Sequence, residues 1–267
     1  MAPSKAFARL LYLFKSFTHD NFIFLNEFGA IIGLRRSYPT NTCHILISKH
    51  KVYARIAKYA ISSFLYYNKS YGIVLHCDGI TLNECRKLSI MFGRRRISVI
   101  LDQPKDSDPY FEQVILFYKL NRTKDMLMDA DLRWRGALPE IESAFLYNSE
   151  FDMSATFPWN RLIESFPWSH ISPLFMLTGS VSGWQGFSPP YSEDDVRGFL
   201  RDLNSFDWTL LKLPLSVSFY QRLTGQVVMS FLAQSSQWTT ITGAENLSGK
   251  IIVESTYFGN SGLRYGR

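Results

Sequence analysis

Apolar and polar positions in the first half of the chain switch repeatedly between two periods, and each switch marks a new element. Short apolar runs such as TCHILIS (42–48) and YGIVLHCDG (71–79) have the length and the β-branched content of strands. Between them, VYARIAKYAISSFLYY (52–67) repeats its apolar residues with the period of an α-helix. RRISVILDQ (95–103) and DMLMDAD (125–131) are two further strand-like runs. The pattern therefore predicts four strands that alternate with helices.

Local signals place the ends of the later helices. TLNECRKLSIMFG (81–93) begins with Thr81 as a predicted N-cap, has Glu84 where it would complete a capping box, and ends at Gly93. DPYFEQVILFYKLN (108–121) carries a proline in its first turn, where the missing N–H removes no helical hydrogen bond. Both segments are therefore predicted to be helices that connect consecutive strands.

Strands that alternate with helices predict an α/β fold, with a mostly parallel sheet flanked by helices on both faces in a single domain. The 267 residues, 46% of them hydrophobic and 19% charged, are enough for one domain of this kind. Residues 1–40 are predicted to form an N-terminal helical or irregular segment. Residues 41–150 would form the first α/β half of the domain, and residues 151–267 the second half.

Charge and cysteine content indicate the setting in which the protein works. The net charge of +6 includes the cluster Arg94 to Arg96, for which a solvated surface is the default interpretation. Three cysteines without a CxxC spacing favour a reducing compartment. No segment reaches the roughly 18 apolar residues of a membrane span, so we expect a cytoplasmic protein. AFARLLYLFKSF (6–17) is basic and amphipathic, which leaves peripheral membrane association as the alternative to docking against the domain.

Polar residues follow the predicted strands at the edge where parallel sheets bind ligands. Ser48, Asp78 and Asp102 come at the ends of three strands, and Asp129 and Asp131 end the fourth. In an extended chain, residues i and i+2 point to the same side, so we expect the last two to aim their carboxylates at one spot. Paired carboxylates repel each other unless a cation joins them, and oxygen ligands suit Mn²⁺ or Mg²⁺. The sequence therefore predicts a divalent metal site that shares its cation with substrate phosphates.

The segment MLMDADLRW (126–134), together with the order of elements, resembles the glycosyltransferases of the GT-A fold. Those enzymes use nucleotide-diphosphate sugars as donors and carry an Asp-x-Asp metal motif at the end of a comparable strand. The resemblance implies a metal-dependent glycosyltransferase, of the hexosyltransferase type or related to it. It also implies Mn²⁺ or Mg²⁺ as cofactor, a UDP-sugar as donor, and a glycan or lipid-linked acceptor as in polysaccharide biosynthesis. No nucleic-acid partner is expected.

The same resemblance assigns roles on the donor side. Asp129 would lie near the donor ribose and the metal, and Asp131 would bind the metal directly beside the diphosphate. The other residues expected to contact the donor are Ser48, Lys49, Asp78, Lys119, Ala130 and Arg264. Family members commonly have a further metal-binding histidine near the C-terminal end, whereas STYFGNSGLRYGR (255–267) contains none. The resemblance therefore leaves the third protein ligand of the metal unassigned.

The second half of the chain is expected to bind the acceptor. TGSVSGWQGFSPPYSEDDV (178–196) has the Gly, Ser and Pro content of an ordered loop, and its Trp184 and Gln185 are predicted to contact the acceptor. GQVVMSFLAQSSQW (225–238) is predicted to be an amphipathic helix, in which Gln226 matches a family position close to the acceptor. These residues make the second half the predicted source of specificity.

The acidic run Glu193-Asp194-Asp195 allows two interpretations. Some GT-A enzymes place such a cluster at a helix start, where a carboxylate deprotonates the acceptor hydroxyl as the general base. Alternatively, Ser192 caps the helix EDDVRGFLRDL (193–203), and Asp195 completes a capping box. Both interpretations make Ser192 and Asp195 the start of a helix, and they differ in whether the carboxylates face a substrate.

Two alternatives to an active transferase remain. The chain could bind a nucleotide sugar without turning it over, which the missing C-terminal histidine permits. It could instead be a basic nucleic-acid-binding protein that uses Arg94 to Arg96, with strongly salt-dependent binding as its signature. His44 and His76 lie in predicted strands, where a hydrogen-bonded core histidine is the commoner role.

Overall fold

The computed structural model confirms the predicted alternation of strands and helices. It describes residues 18, 21–25, 39–102, 109–120, 125–134, 136–137, 145–148, 180–183, 191–207, 209, 228, 239–242 and 253–255. The α/β core consists of β1 Asn41–Ile47, α1 Lys51–Tyr67, β2 Tyr71–Cys77, α2 Leu82–Phe92, β3 Ile97–Leu101, α3 Pro109–Leu120 and β4 Met126–Leu127. The later described elements are β5 Leu132–Trp134, β6 Phe145–Asn148, β7 Ser180–Gly183, α4 Glu193–Ser205, β8 Thr239–Thr242 and β9 Val253–Ser255.

Seven of the described strands form one sheet in the order β3-β2-β1-β4-β7-β6-β8, and β5 pairs with β9 in a second, antiparallel sheet. The first four strands are parallel to one another, β7 is antiparallel to β4, and β6 is antiparallel to β7. The fold class is therefore α/β with a mostly parallel sheet, as predicted. The strand order reverses between β1 and β4, because β1 leads to β2 on one side whereas β4 lies on the other.

One face of the parallel strands packs against α1 and α2. Alternate residues of β1 and β2 point to this face and are at most 1% exposed, and they contact Phe64 and Leu65 of α1 and Cys85 and Leu88 of α2. Burying a side chain such as Phe64 or Leu65 contributes roughly 1.5–3 kcal/mol. The buried face accounts for the alternate apolar residues of both strands.

The opposite face carries the other set of alternating residues, among them His44, His76 and Leu127. A right-handed crossover from β3 back to β4 places α3 on this face. Helix α3 buries Val114, Ile115 and Tyr118, and α4, which packs against α3, buries Val196, Leu200 and Leu203. Tyr118 also donates its hydroxyl proton to the carbonyl of Tyr191, 2.8 Å away, just before α4. Helices therefore flank both faces of the sheet.

Two predicted helix boundaries and the N-cap position of Thr81 are confirmed, whereas one predicted capping box is wrong. Helix α3 begins at Pro109, and α2 ends before Gly93, whose φ of 92° lies in the left-handed region that favours glycine. The predicted capping box of α2 does not form, because Thr81 makes no capping bond from its side chain. Glu84 instead accepts a hydrogen bond from Lys87 at 2.9 Å. The hydroxyl of Thr81 is used by a different contact at the edge of the sheet.

Trp134 fixes β5 onto α1. Its side chain is fully buried, and its ring centroid lies 5.1 Å from that of Phe64. The backbone N–H of Trp134 donates to the hydroxyl of Ser63 at 3.1 Å, and its indole N–H points at the sulfur of Met128 at 2.9 Å. These contacts attach both sides of the turn between β4 and β5 to the core.

The short helix at residues 21–25 docks on the outer side of the core. Phe24 packs edge-to-face against Tyr59 and Phe92, with ring centroids 6.0 Å apart in both pairs. The amphipathic segment 6–17 lies outside the described residues. In the part of the chain that the structure describes, no helix is long and apolar enough to cross a membrane.

The three cysteines are buried packing residues. All are free thiols, and burial is the largest of the causes that raise the pKa of Cys43 and Cys85 well above its ordinary value. Because the thiolate is the reactive form, these two side chains are inert at neutral pH. The absence of disulfides agrees with the prediction from the cysteine spacing.

Candidate functional site

The candidate site lies where the strand order of the sheet reverses. Strands β1 and β4 are parallel neighbours there, since Cys43 pairs with Met126 and His44 with Leu127, so their carboxyl ends face the same edge of the sheet. In open α/β sheets, ligands bind in the crevice outside the strands at such a reversal. Ser48 and Lys49 follow β1 at this edge, and residues 129–131 follow β4.

Residues 129–131 form a turn, which corrects the geometry expected from the sequence. Strand β4 ends at Leu127, and the N–H of Met128 still donates to the carbonyl of His44 at 2.9 Å. The chain then bends, so that the N–H of Leu132 reaches the carbonyl of Asp129 at 3.5 Å. The prediction that the chain is extended at Asp129 and Asp131 is therefore wrong, and the convergence of their carboxylates on one spot stays a prediction. Their placement at the carboxyl end of β4, both half-buried, agrees with the prediction.

The side chains at this turn are of the type that binds a divalent cation, but two carboxylates do not complete the ligand shell of the cation. Carboxylate oxygens are the ligands of Mn²⁺ and Mg²⁺, and Mg²⁺ sites usually take one or two carboxylates and complete the shell with waters and substrate phosphates. Among the described residues, no group of three or more His, Cys, Asp or Glu side chains converges to hold a metal. A cation at Asp129 and Asp131 would therefore depend on a bound diphosphate for its remaining ligands.

Asp78 ties the loop after β1 to the start of α2. Its Oδ2 accepts a hydrogen bond from the backbone N–H of Lys49 at 2.6 Å, and its Oδ1 accepts from the backbone N–H of Thr81 at 2.8 Å. The hydroxyl of Thr81 lies 2.6 Å from the carbonyl of Ile47 and 2.8 Å from Oδ1 of Asp78. Burial alone would raise the pKa of Asp78, but hydrogen bonds from Lys49, Thr81 and Ile80 hold it below its ordinary value.

These bonds give Asp78 a positioning role at the edge of the sheet. Lys49 has a φ of 60°, a left-handed conformation that is uncommon for lysine, and its N–H is held by the carboxylate. Ser48 is half-buried beside it, and its carbonyl accepts from the N–H of His50 at 2.7 Å. Direct donor contacts by Ser48, Lys49 and Asp78 stay predictions.

We expect Asp78→Asn to lower the free energy of unfolding by about 1–3 kcal/mol at neutral pH, because the amide NH₂ would face a backbone N–H in place of an acceptor. A carboxylate with a lowered pKa stabilises the fold above its unfolded value, and this stabilisation is lost as pH falls through the folded pKa. Urea unfolding between pH 3 and pH 7 should therefore show a loss below about pH 4 that is smaller in the variant. Asp202→Asn, on the exposed side of α4, is the matched control and should leave the profile unchanged.

The acidic run at 193–195 begins α4 with the predicted capping box. The N–H of Asp195 donates to the Ser192 hydroxyl oxygen at 3.2 Å, and the N–H of Ser192 donates to Oδ2 of Asp195 at 2.8 Å. The hydrogen bonds from Ser192 lower the pKa of Asp195 below its ordinary value. A carboxylate with a lowered pKa is a weaker base, which opposes a general-base role for this residue. The catalytic role of residues 193–195 stays a prediction, and the exposed Asp194 is the residue that fits this role best.

Glu193 and Lys119 pair with each other between two helices. Nζ of Lys119 in α3 lies 3.6 Å from Oε1 of Glu193 in α4, and Arg197 donates to the same oxygen at 2.9 Å. Arg197 also lies 3.7 Å from Oε1 of Glu112 in α3. The network joins α3 to α4, so Lys119 and Glu193 have a structural role whatever else they contact.

Of the remaining predicted site residues, only Ala130 belongs to the part of the chain that the structure describes. Trp184, Gln185, Gln226 and Arg264 lie outside the described residues. Ala130 is half-buried within the turn after β4.

A row of four ionisable side chains was missed at the sequence level. His76 Nδ1 lies 2.5 Å from Oδ2 of Asp102, and His76 Nε2 lies 2.8 Å from Nδ1 of His44. Nε2 of His44 lies 3.3 Å from Oδ2 of Asp125. The prediction that both histidines are hydrogen-bonded core residues is confirmed. Their alignment follows from the parallel register of β1 and β2, which sequence spacing alone does not give.

Comparison with known proteins adds a structural likeness. No protein-family model matches the sequence, and no curated protein matches it significantly. The apo form of the glycosyltransferase GlyE of Streptococcus pneumoniae TIGR4 is 12% identical, with a TM-score of 0.47. A second structure of GlyE is 11% identical, with a TM-score of 0.46. Each match covers 76% of this chain and 45% of the GlyE chain, so the present chain spans less than half of that protein. At this level the likeness carries no argument about activity.

Proposed function

We propose that the protein is a glycosyltransferase that moves a sugar from a nucleotide-diphosphate donor to a hydroxyl acceptor in a metal-dependent reaction. The observation that carries the proposal is the position of Asp129 and Asp131. They occupy the turn after β4, on the strand neighbouring β1, where the strand order reverses. Two carboxylates at the ligand-binding edge of an α/β sheet fit a site for a metal-bound diphosphate better than they fit a nucleic-acid surface.

The chain's own residues divide the work on the donor. Asp131, with Asp129 beside it, would hold Mn²⁺ or Mg²⁺. A bound cation supplies charge neutralisation for the nucleoside diphosphate leaving group. Lys49 and Ser48, on the loop held by Asp78, face the same edge and would contact the nucleoside. We assign a UDP-sugar as the donor and a glycan or lipid-linked molecule as the acceptor.

The acceptor hydroxyl needs a base, and the structure favours one member of the acidic run over the others. Asp195 is engaged by Ser192, and Glu193 by Lys119 and Arg197. Asp194 is exposed at the helix start and would be the base, with Trp184 and Gln226 on the acceptor side. If Asp194 is not the general base, the other two carboxylates of the run are already bound by neighbouring side chains. That outcome favours the second candidate function, a protein that binds a nucleotide sugar without turning it over.

A thermal unfolding panel tests the proposed donor site. The wild-type protein is melted with UDP, GDP, ADP and CDP and with the corresponding nucleotide sugars, each with Mn²⁺ and with a chelator. A ligand at a hundred times its dissociation constant stabilises by about 2.7 kcal/mol, which for a chain of this size raises the midpoint by several degrees. We expect a metal-dependent shift with one nucleotide. A panel without any shift would refute the donor site, and salt-dependent binding to RNA or DNA would then support the nucleic-acid alternative.

A further inference from the structure

A row of four ionisable side chains crosses the parallel sheet on the face away from α1 and α2. Asp102 follows β3, His76 lies in β2, His44 lies in β1 and Asp125 directly precedes β4, so four adjacent strands contribute one side chain each. The contacts run from Asp102 to His76, from His76 to His44 and from His44 to Asp125, at 2.5, 2.8 and 3.3 Å. Two imidazoles therefore stand in series between two carboxylates.

The unequal contacts at the two ends of the row, 2.5 Å at Asp102 and 3.3 Å at Asp125, indicate where its protons are. An ionised carboxylate only accepts, so His76 Nδ1 carries the proton that is donated to Asp102. A neutral His76 then presents Nε2 as an acceptor, and Nδ1 of His44 must donate to it. This leaves Nε2 of a neutral His44 without a proton, although it faces a second carboxylate. The geometry agrees, because the buried His44 Nε2 forms no hydrogen bond of good geometry with any described residue, and its 3.3 Å contact is the longest of the three, although Asp125 is close enough to act on the pKa of His44.

We propose that the gap between His44 Nε2 and Asp125 Oδ2 is a proton-binding site, which lacks its proton at neutral pH and takes up one proton from water as the pH falls. The arriving proton forms an N–H bond on His44 and a hydrogen bond to Asp125, and no other bond is made or broken. All three contacts of the row are then hydrogen bonds. The row alone carries this assignment, which is independent of the proposed transferase activity.

The surroundings set the pH range of this uptake. His44 and His76 are 8% and 7% exposed, and burial is the first cause that lowers the pKa of His44, followed by the nearby His76. Asp125 and Asp102 act in the opposite direction and do not overcome them. The unfolded chain therefore takes up its proton first, so stability is complete above about pH 6.5 and is lost as the pH falls below it.

The other ionisable groups near the row do not account for a proton uptake in this pH range. Burial is the largest cause that raises the pKa of Cys43 and of Tyr71, and the charge of Asp125 adds to it, so neither is charged in this range. On α3, which packs on this face, the charged side chains with described surroundings are Glu112 and Lys119, and both are paired with α4. The proton is thus assigned to the His44–Asp125 gap.

Proton uptake would act on the shortest strand beside the candidate site. Strand β4 has two residues, Met126 and Leu127, with Asp125 at its start and the Asp129–Asp131 turn at its end. A new bond from His44 to Asp125 adds a side-chain contact to the few that hold β4 on β1. The N–H of Met128, which donates to the carbonyl of His44, reports on that pairing.

The test is a titration of the imidazole nitrogens by ¹⁵N NMR between pH 4.5 and pH 8.5 in the intact wild-type protein. At neutral pH we expect protons on Nδ1 and none on Nε2 in both buried histidines. On acidification, Nε2 of His44 should gain its proton at a lower pH than the unperturbed imidazole value of about 6.5. A neutral-pH tautomer of His44 with the proton on Nε2, or uptake at or above about pH 6.5, would overturn the proposal.

Two variants sharpen this titration. Asp125→Asn places an amide donor against the unprotonated Nε2, so the uptake midpoint of His44 should fall by about one pH unit or more. His50→Gln is the control, which should delete one resonance pair and leave the midpoint of His44 unchanged. An unchanged midpoint in Asp125→Asn would contradict the assignment of the gap, and the wild-type titration decides the question if this variant does not fold.

Discussion

We expect Trp134→Ala to lower the free energy of unfolding by about 3–5 kcal/mol, a larger loss than we expect for Asp78→Asn. The indole is fully buried against Phe64, and its N–H points at the sulfur of Met128. Alanine would leave a cavity between β5 and α1 and would release the turn after β4 from the core. Urea unfolding at neutral pH measures the change.

Two further variants separate this effect from a general loss of apolar surface. Trp134→Phe keeps most of the buried area and loses only the N–H, so it should cost less than the alanine variant. Val52→Ala, on a side chain that is 53% exposed, should change stability by no more than about 0.5 kcal/mol. If Trp134→Ala were as mild as Val52→Ala, the described packing of β5 on α1 would be wrong.

We expect Asp131→Asn to remove the metal-dependent part of donor binding. If the substitution weakens binding a hundredfold, a donor that stabilises the wild type by about 2.7 kcal/mol would stabilise the variant by about 0.4 kcal/mol. The unfolding midpoint of the variant without donor is the reference from which its response to the donor is measured. Thermal unfolding with Mn²⁺ and the nucleotide found in the panel measures both quantities.

Asp129→Asn should behave similarly, with a smaller effect because its expected contacts include the ribose as well as the metal. Asp202→Asn provides the matched control, since it removes one carboxylate from the exposed side of α4. A donor response that survives in both Asp129→Asn and Asp131→Asn would place the donor elsewhere on the protein.

The fold was predictable because its strands and helices carry separate periodic signals. The runs at 42–48 and 71–79 are mostly apolar since parallel strands are largely buried on both faces, and α1 keeps its polar positions on one side. Gly93 and Pro109 mark helix ends for reasons of local backbone geometry. Such signals lie within a few residues of the boundary that they set.

The location of the candidate site was predictable from the sequence, whereas the geometry of its residues was less predictable. Parallel strands bring Ser48 and the residues after β4 to one edge by topology, which the order of elements already implies. The turn at Asp129 to Asp131 depends on how Trp134 packs on α1, a contact between residues 71 positions apart in the case of Ser63. The proton-binding row depends on strand register, which is a property of the sheet and not of any single segment.

Hydrolysis of the donor in the absence of an acceptor is the most direct measurement of the proposed activity. The wild-type protein is incubated with the nucleotide sugar that the panel identifies, with Mn²⁺ or with a chelator, and release of the nucleoside diphosphate is followed. The transferase account predicts slow release that requires the metal and is lost in Asp131→Asn. A donor that binds in a metal-dependent manner and remains intact would contradict it and leave a nucleotide-sugar-binding protein.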